Sequence, residues 1–370
     1  MSSCFYSTLV LFLSIVCTVS SLHKLPPNVT VPALLFFGDS IVDAGNNNNV
    51  KTLIKCNFPP YGKNFEEGIP TGRFCNGNIP SDIIGHITSI FGPNSSTQDL
   101  ITGVSFASGG SGFDPLTPKL VSVLTLSDQL EYFKEYIGKL KAIIGEENTT
   151  FTITNSLFLV VAGSDDIANT YFTLRARKLK YDVPAYTDLM ANSASSFVQE
   201  LYKLGARRIG VFSAPPVGCV PAQRTLAGGV ERECAQNLNE AAKLFNSKLS
   251  KKLDSLASSL PSGRFVYLDI YNPLLDLIQN PRKYGFQVAD KGCCGTGILE
   301  VAILCNQYTS ETCANVSDYV FWDSYHPTEG AYKALDWLTD NDYEWGRGRS
   351  HIRLLKIPTF CESLATDPLC

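Results

Sequence analysis

The sequence predicts an α/β fold in which a parallel sheet is covered by helices on both faces. Five short apolar runs are typical of buried parallel strands: Ala33–Phe37, Val104–Ala107, Leu157–Ala162, Arg208–Ser213 and Phe265–Asp269. Between them, apolar residues recur at helical spacing in three longer segments: Leu126–Leu140, Tyr186–Leu204 and Ala235–Leu256. No internal repeat or low-complexity linker occurs, so we expect residues 22–370 to form a single domain.

The first 21 residues are predicted to be a secretory signal. Leu9–Val16 is an apolar core too short to span a bilayer comfortably, and the small residues Ser20 and Ser21 suit a cleavage site. No positive charge precedes this core, and the alternative is a buried N-terminal helix. No later stretch is apolar enough for a membrane helix. We therefore expect a secreted, extracellular chain without an integral membrane segment.

Cysteine usage indicates an oxidising compartment. Of the 12 cysteines, two lie in the predicted signal, which leaves an even number. Short loops separate Cys56 from Cys75 and Cys219 from Cys234, so each is an expected pair. Two further bridges are expected, with three connectivities open, among Cys293, Cys294, Cys305 and Cys313. A zinc site is the alternative, but the chain has no C-x-x-C pair and we expect no metal.

Other sequence features concern the surface. Four glycosylation sequons begin at Asn28, Asn94, Asn148 and Asn315, each a candidate glycan on a surface loop of a secreted protein. The formal net charge is −4. No basic patch interleaved with aromatic residues occurs, so nucleic acid is not expected as a partner.

A candidate nucleophile follows the first predicted strand. Binding crevices form at the carboxyl ends of strands in open α/β sheets, and Gly38-Asp39-Ser40 lies at such an end. A serine hydroxyl attacks acyl groups when a base is within hydrogen-bond reach. Of the four histidines, only His326 has a carboxylate three residues before it, at Asp323. Asp323 can accept the Nδ1 proton and leave Nε2 facing Ser40. Alone, a D-x-x-H is more often a surface pair that has no role.

The same serine chemistry needs donors for a developing oxyanion. The backbone N–H of Ser40, at the start of a helix expected after the turn, can supply one. Gly109, in the glycine-rich exit of the second strand, could supply another. A third would come from a side chain near Asp165, at the exit of the third strand. The alternative for the glycine-rich segment is a plain turn.

In this order, the motifs resemble those of the GDSL esterase/lipase family, also called SGNH hydrolases, and particularly its plant secreted, extracellular-lipase-like branch. The resemblance spans roughly residues 32–337. It is carried by Phe36–Asn47, Asn57–Gly62, Pro70–Phe74, Phe106–Gly112 and Phe321–Thr328. The resemblance implies a flavodoxin-like three-layer α/β/α sandwich. It also implies ester hydrolysis through an acyl-enzyme without a cofactor, with Ser40 as nucleophile, His326 as base, Asp323 as its orienter and Gly109 as the oxyanion glycine.

Two departures from the family pattern bear on function. Asp165 stands where the family usually carries an asparagine, and an ionised carboxylate has no proton to donate to an oxyanion. It could donate only if burial and nearby carboxylates raised its pKa. In addition, residues 338–370 form an atypical tail, unlike the apolar-faced helix that usually ends the family's chains.

These observations favour a secreted ester hydrolase that acts, as a monomer, on small acyl esters of lipids or of acylated cell-surface material in the cell wall or apoplast. One alternative is a secreted glycoprotein that binds an acyl or sugar ligand with little or no turnover, which Asp165 and the tail would suit. The other is an acyltransferase that uses the same triad, because the acyl-enzyme step is shared.

Overall fold

The computed structural model describes residues 31–85, 87–92, 96–297, 299–301, 305–306, 308 and 311–335. The predicted signal, the tail 338–370 and the sequons at Asn28 and Asn94 lie outside the described residues.

Two parallel sheets are present in the described chain. The central sheet contains β1 (Leu34–Gly38), β2 (Thr88–Ser89), β3 (Gly103–Ser105), β4 (Leu157–Val161), β5 (Arg208–Phe212) and β6 (Arg264–Leu268). A small second sheet pairs β7 (Val288–Gly292) with β8 (Tyr319–Phe321). The five predicted strands are confirmed as β1 and β3 to β6, whereas β2, β7 and β8 were not predicted.

The three predicted helices are confirmed as the longest of the described helices. The α-helices are α1 (Pro80–Gly85), α2 (Thr97–Thr102), α3 (Leu116–Val121), α4 (Leu126–Ile144), α5 (Glu146–Asn155), α6 (Val183–Lys203), α7 (Pro221–Ala227), α8 (Gln236–Ser259), α9 (Tyr271–Gln279) and α10 (Glu329–Ala334). A π-helix, Asp166–Thr173, follows β4. The helix expected directly after Ser40 is absent, because the chain turns there and the next helical element is a 3₁₀ turn at Asn46–Asn49.

The strand order of the central sheet is β2-β3-β1-β4-β5-β6. Without the two-residue edge strand β2, this is the flavodoxin-like order, in which the second strand lies on one side of the first and the third on the other. The topological switch point therefore lies between β1 and β4. Ligands bind at such a point, outside the carboxyl ends of the strands.

Helices cover both faces of this sheet, as the sequence predicts. Side chains of β1 alternate between two cores because successive residues of a strand point to opposite faces. Leu35 and Phe37 pack in the core formed with α4, α6 and α8. Leu34 and Phe36 pack in the opposite core, formed with α1, α9 and α10. The result is the three-layer α/β/α sandwich expected from the resemblance.

Three disulfide bonds form among the described cysteines. The expected pair Cys219–Cys234 is confirmed. The connectivity left open by the sequence is resolved as Cys293–Cys313 and Cys294–Cys305. Both of these bonds lie in the chain between β7 and β8, which leads toward Asp323.

The expected pair between Cys56 and Cys75 is wrong, because both thiols are free and buried. Closeness along the chain does not bring them together, since each packs in a different cluster. Cys56 lies in the cluster that contains Tyr61. Cys75 lies with Tyr332, and its thiol contacts the carbonyl oxygen of Pro327 at 3.6 Å.

The two described sequons lie on the surface. Asn315 is exposed and precedes a short 3₁₀ turn at Val316–Asp318. Asn148 is also exposed, but it lies within helix α5 rather than on a loop. Glycosylation at both stays a prediction. Within the described ranges, none of the helices combines the length and apolar character needed to cross a bilayer.

Candidate active site

Ser40 lies in a turn directly after β1, and Gly38 makes this turn possible. Gly38 has φ of 129°, and a Cβ atom there would lie 1.7 Å from the carbonyl oxygen of Val161 in β4. The side chain of Gln129 holds both backbone groups of Gly38, with its Oε1 accepting at 2.8 Å and its Nε2 donating at 2.9 Å. Close approach of β1 to β4 thus fixes the position of Ser40 at the switch point.

The structure brings Ser40, His326 and Asp323 together, although 286 positions separate the serine from the histidine. Nε2 of His326 lies 2.7 Å from the Ser40 hydroxyl oxygen. Nδ1 of the same ring lies 2.8 Å from Asp323 Oδ2 and 3.0 Å from Oδ1. This arrangement can carry a proton from the serine to the histidine while the aspartate holds the ring and its tautomer.

Asp323 is buried but is surrounded by hydrogen-bond donors. Its Oδ1 accepts from the backbone N–H groups of Tyr325, at 2.8 Å, and His326, at 2.7 Å. Its Oδ2 accepts from the hydroxyl of Tyr61 at 2.7 Å. Burial opposes ionisation, but the neighbouring His326 ring and the backbone N–H groups of Tyr325 and His326 together hold the pKa of Asp323 below its usual value. The carboxylate is therefore kept in the charged form that a histidine base requires.

Tyr61 and Gln129 are site residues that the sequence analysis missed. Burial, together with the Asp323 charge, raises the pKa of the Tyr61 hydroxyl well above its usual value, so this hydroxyl stays a donor. Nothing in the sequence connects Tyr61 with Asp323. Gln129 did carry a signal, because this amide stands among the apolar residues Leu126, Leu130 and Phe133 at helical spacing. The structure buries it fully.

The glycine expected at the oxyanion site is placed differently. The Gly109 N–H donates to Asp43 Oδ2 at 2.9 Å, and Gly109 does not line the cavity beside Ser40. The next residue, Gly110, does line that cavity. The N–H groups of Ser40 and Gly110 make no hydrogen bond to a described residue. These two N–H groups, rather than that of Gly109, remain available for a ligand oxygen.

Asp165 lines the same cavity, at the exit of β4. Burial raises its pKa to about 6, against the opposing effects of His326 and of a hydrogen bond from Asn169. The side-chain Nδ2 of Asn169 donates to Asp165 Oδ1 at 2.6 Å, and the side-chain Oδ1 of Asn169 accepts from the Tyr325 hydroxyl at 2.9 Å. Asp165 therefore lies in the cavity wall, and its pKa of about 6 makes its charge depend on pH in mildly acidic solution.

Two further buried carboxyl groups, those of Asp39 and Asp166, lie near Asp165. Burial, together with the charges of Asp165 and Asp166, raises the pKa of Asp39 well above its usual value. Burial raises the pKa of Asp166 to about 7. Asp166 accepts from the backbone N–H groups of Phe113, at 2.7 Å, and Asp114, at 3.0 Å, and thereby anchors the loop after the glycine-rich segment.

A cavity of about 410 Å³ opens beside Ser40 and His326. Its wall is mostly apolar and is contributed by both sides of the sheet. The apolar lining includes Ile41, Phe58, Phe74, Val121, Val217, Val220, Ile270 and Leu274. The volume is within the range of roughly 300–1,000 Å³ that is typical of small-molecule sites. A mostly apolar wall with a few polar groups at one point is suited to a ligand with an apolar chain and one reactive polar group.

Comparison with known proteins places the chain in a family. The profile of the GDSL-like Lipase/Acylhydrolase family matches residues 34–335. GDSL esterase/lipase EXL3 from Arabidopsis thaliana is 61% identical over 327 residues, which cover 86% of this chain and 90% of that protein. GDSL esterase/lipase At5g42170 from the same plant is 56% identical over 319 residues, covering 84% and 86% of the two chains. The chain therefore belongs to the GDSL lipase/acylhydrolase family of ester-hydrolysing enzymes.

Proposed function

We propose that the protein is a secreted carboxylic ester hydrolase that forms an acyl-enzyme on Ser40. The observation that supports this most strongly is a chain of two hydrogen bonds. The Ser40 hydroxyl oxygen lies 2.7 Å from His326 Nε2, and His326 Nδ1 lies 2.8 Å from Asp323 Oδ2. Serine is a weak nucleophile without such a base, and histidine needs an orienting acceptor to present Nε2 as the base.

In the proposed reaction, His326 Nε2 takes the hydroxyl proton while Ser40 Oγ attacks the ester carbonyl carbon. The carbonyl oxygen becomes an oxyanion, for which the free N–H groups of Ser40 and Gly110 are suitable donors. The C–O bond to the alcohol then breaks, and His326 returns the proton to the departing alkoxide. Water, deprotonated by His326, releases the acid and restores Ser40.

The apolar cavity supports acyl lipids or acylated surface material as substrates. An acyl chain placed against Phe58, Phe74 and Ile41 would leave its carbonyl carbon beside Ser40, and each methylene buried there stabilises binding by about 0.8 kcal/mol. The curated relatives are named esterase/lipase, which agrees with this class. The three disulfides suit an extracellular location, where the protein would act as a monomer.

Hydrolysis of p-nitrophenyl esters from acetate to palmitate, by secreted protein, tests the proposal. The parent is compared with Ser40→Ala and with Ser164→Ala, since Ser164 lines the same cavity but forms no hydrogen bond with Ser40, His326 or Asp323. We expect Ser40→Ala to lose activity by at least about 10³-fold and Ser164→Ala to stay near the parent. Equal hydrolysis by Ser40→Ala and the parent would contradict the proposal.

Asp165 supports a second candidate, a protein that binds an acyl ligand with little turnover. An ionised carboxylate at the oxyanion position would repel the developing charge. The same assay separates the two functions when Asp165→Asn is added. An inactive parent whose activity appears only in Asp165→Asn would favour the binding protein, whereas an active parent favours the esterase.

A further inference from the structure

Three exposed leucines surround the opening of the active-site cavity. Leu53, Leu120 and Leu174 all line the cavity, yet each is at least 42% exposed, and Leu53 is 98% exposed. They belong to three separate segments, residues 50–56, 116–123 and 172–181, which we call the mouth segments. The third segment carries a further fully exposed leucine, Leu179. Single exposed leucines are ordinary, but leucines gathered around one opening mark an interaction surface.

Hydrogen bonds connect the mouth segments in space. The hydroxyl of Thr52 donates to the carbonyl oxygen of Val121 at 2.7 Å, which joins the first segment to the end of α3. The hydroxyls of Thr117 and Thr170 lie 2.8 Å apart, which joins α3 to the π-helix just before the third segment. Leu53, Leu120 and Leu174 therefore lie on one rim of contacting segments around the cavity opening.

The charge of this rim is opposite to that of the whole chain. The chain has 31 basic and 35 acidic residues. The three mouth segments contain seven basic residues and no acidic residue. Each cavity-lining leucine has a cation within two positions along the chain. The basic residues are Lys51, Lys55, Lys119, Arg175, Arg177, Lys178 and Lys180.

Most of these cations remain available to a partner. The exceptions are Arg177, which forms a two-pronged ion pair with the buried Asp114 at 2.7 Å, and Lys55, which donates to the carbonyl oxygen of Asn48 at 3.1 Å. No ion pair to a described residue is formed by Arg175, Lys178 or Lys180. All three are exposed. Asp182, the next acidic residue, caps α6 by accepting from the Ala185 N–H.

We propose that the mouth segments dock the protein on an anionic lipid surface with the cavity opening toward the lipid. The cations would be attracted to the negative surface potential, which acts within about a Debye length of ~8 Å in physiological salt. The leucines would enter the boundary between head groups and acyl chains. A polyanionic polysaccharide could occupy the cations but would leave Leu53 and Leu179 without apolar partners, so the lipid is favoured.

Docking in this orientation would place the cavity where an acyl chain can enter from the lipid phase. The acyl chain of the substrate would then pass from the lipid into the apolar cavity without crossing water. This inference adds a partner surface to the proposed esterase, but binding does not require turnover. It can therefore be measured on Ser40→Ala, so that failure of docking and failure of hydrolysis are distinguished.

Co-sedimentation with sucrose-loaded vesicles tests the proposal. Vesicles of phosphatidylcholine alone are compared with vesicles of phosphatidylcholine mixed with the anionic lipid phosphatidylglycerol. The Ser40→Ala protein should bind the anionic vesicles, and raising the salt should weaken binding. The variant Arg175→Gln/Lys178→Gln/Lys180→Gln should lower the partition coefficient on the order of 100-fold, since each cation near the surface contributes about fivefold. Leu179→Ser should also weaken binding, with little effect of salt on that loss.

The matched control removes three exposed lysines that lie outside the mouth segments, as Lys139→Gln/Lys251→Gln/Lys252→Gln. It should bind as the parent does, and each of these surface variants, made with Ser40 intact, should turn over a soluble short-chain ester at the parent rate. Equal loss in the control, equal binding to neutral and anionic vesicles, or no binding to anionic vesicles would overturn the proposal. Retention on immobilised polygalacturonate without vesicle binding would also overturn it and assign the rim to a polysaccharide.

Discussion

The hydroxyl of Tyr61 donates a hydrogen bond of 2.7 Å to Asp323 Oδ2, the oxygen that lies 2.8 Å from His326 Nδ1. Tyr61 and the histidine thus share one carboxylate oxygen in a buried environment. Hydrogen bonds to charged groups contribute about 1.5–3 kcal/mol when a partner is removed. The contact makes Tyr61 a positioning residue for the proposed base, acting through Asp323.

Replacing Tyr61 with Phe should lower kcat by about 10-fold and move the acidic limb of the pH–rate profile to higher pH. Asp323 loses a donor, and its less stabilised charge then attracts the protonated imidazole more strongly. The measurement is kcat/KM against pH with a soluble ester. Tyr202→Phe is the control, because its hydroxyl bonds only to the Pro261 carbonyl at the surface. A uniform loss without a shifted limb would indicate that Tyr61 only supports packing.

The effect of Asp165→Asn should depend on pH. Burial raises the pKa of Asp165 to about 6, so below that pH the carboxyl carries a proton that it can donate, and above it the charge repels an oxyanion. We expect Asp165→Asn to be close to the parent at pH 5 and faster at pH 8, by up to about 10²-fold. The measurement is the ratio of kcat for Asp165→Asn to kcat for the parent, taken between pH 5 and pH 8. A ratio that is constant across this range would show that Asp165 does not act on the oxyanion.

Stability should be higher at pH 5.5 than at pH 8. Burial raises the pKa of Asp43 to about 6 and of Asp166 to about 7, against about 3.9 for an unfolded aspartate. Between these values the folded chain holds protons that the unfolded chain has released, so the free energy of unfolding falls as pH rises from about 4 to 7. The lowered pKa of Asp323 has the opposite effect on the free energy of unfolding, since it destabilises the folded protein only as pH falls below about 4.

Urea unfolding at the two pH values measures this difference. Asp166→Asn should reduce the difference, because it removes one of the groups that titrate, whereas Asp254→Asn, at an exposed position on α8, should not change it. A higher urea midpoint at pH 8 than at pH 5.5 in the parent would show that these carboxyl groups are ionised in the folded protein.

Cys56 and Cys75 should be recovered as free thiols. Both are buried and unbonded, and burial raises the pKa of each thiol above its usual value, so neither reacts readily in the folded protein. Iodoacetamide should label the two peptides in urea but not in buffer, as seen by mass spectrometry without reduction. The peptides of Cys219 and Cys293 serve as controls that should stay unlabelled in both conditions. A peptide linked through Cys56 and Cys75 would contradict the structure.

The central sheet could be predicted because buried parallel strands are continuous apolar runs. β1 and β4 are such runs, and each is buried along its full length. β2 has only the two residues Thr88 and Ser89, and β7 contains exposed and charged positions, so neither has that signature. The small sheet forms through the pairing of β7 with β8, a contact between distant segments that local pattern does not reveal.

The candidate site could be predicted where its geometry is local. Asp323 and His326 lie on one turn, so their spacing is compatible with the contact that the structure shows. Tyr61 lies 262 positions from Asp323, and only the folded chain brings them together. The choice between Gly109 and Gly110 depends on which way successive N–H groups point, which residue type does not encode. The predicted bond between Cys56 and Cys75 was wrong because closeness along the chain does not determine closeness in the fold.

The most direct test of the account is labelling with a fluorophosphonate, which transfers its phosphonyl group to a serine that a histidine activates. Intact mass and peptide mapping locate the adduct in the parent, in His326→Ala and in Asp323→Asn. We expect one adduct, on Ser40, in the parent and labelling at least about 10³-fold slower in the two variants. No adduct on Ser40 of folded parent protein, or equal labelling when His326 is absent, would contradict the assignment of Ser40 as the activated nucleophile.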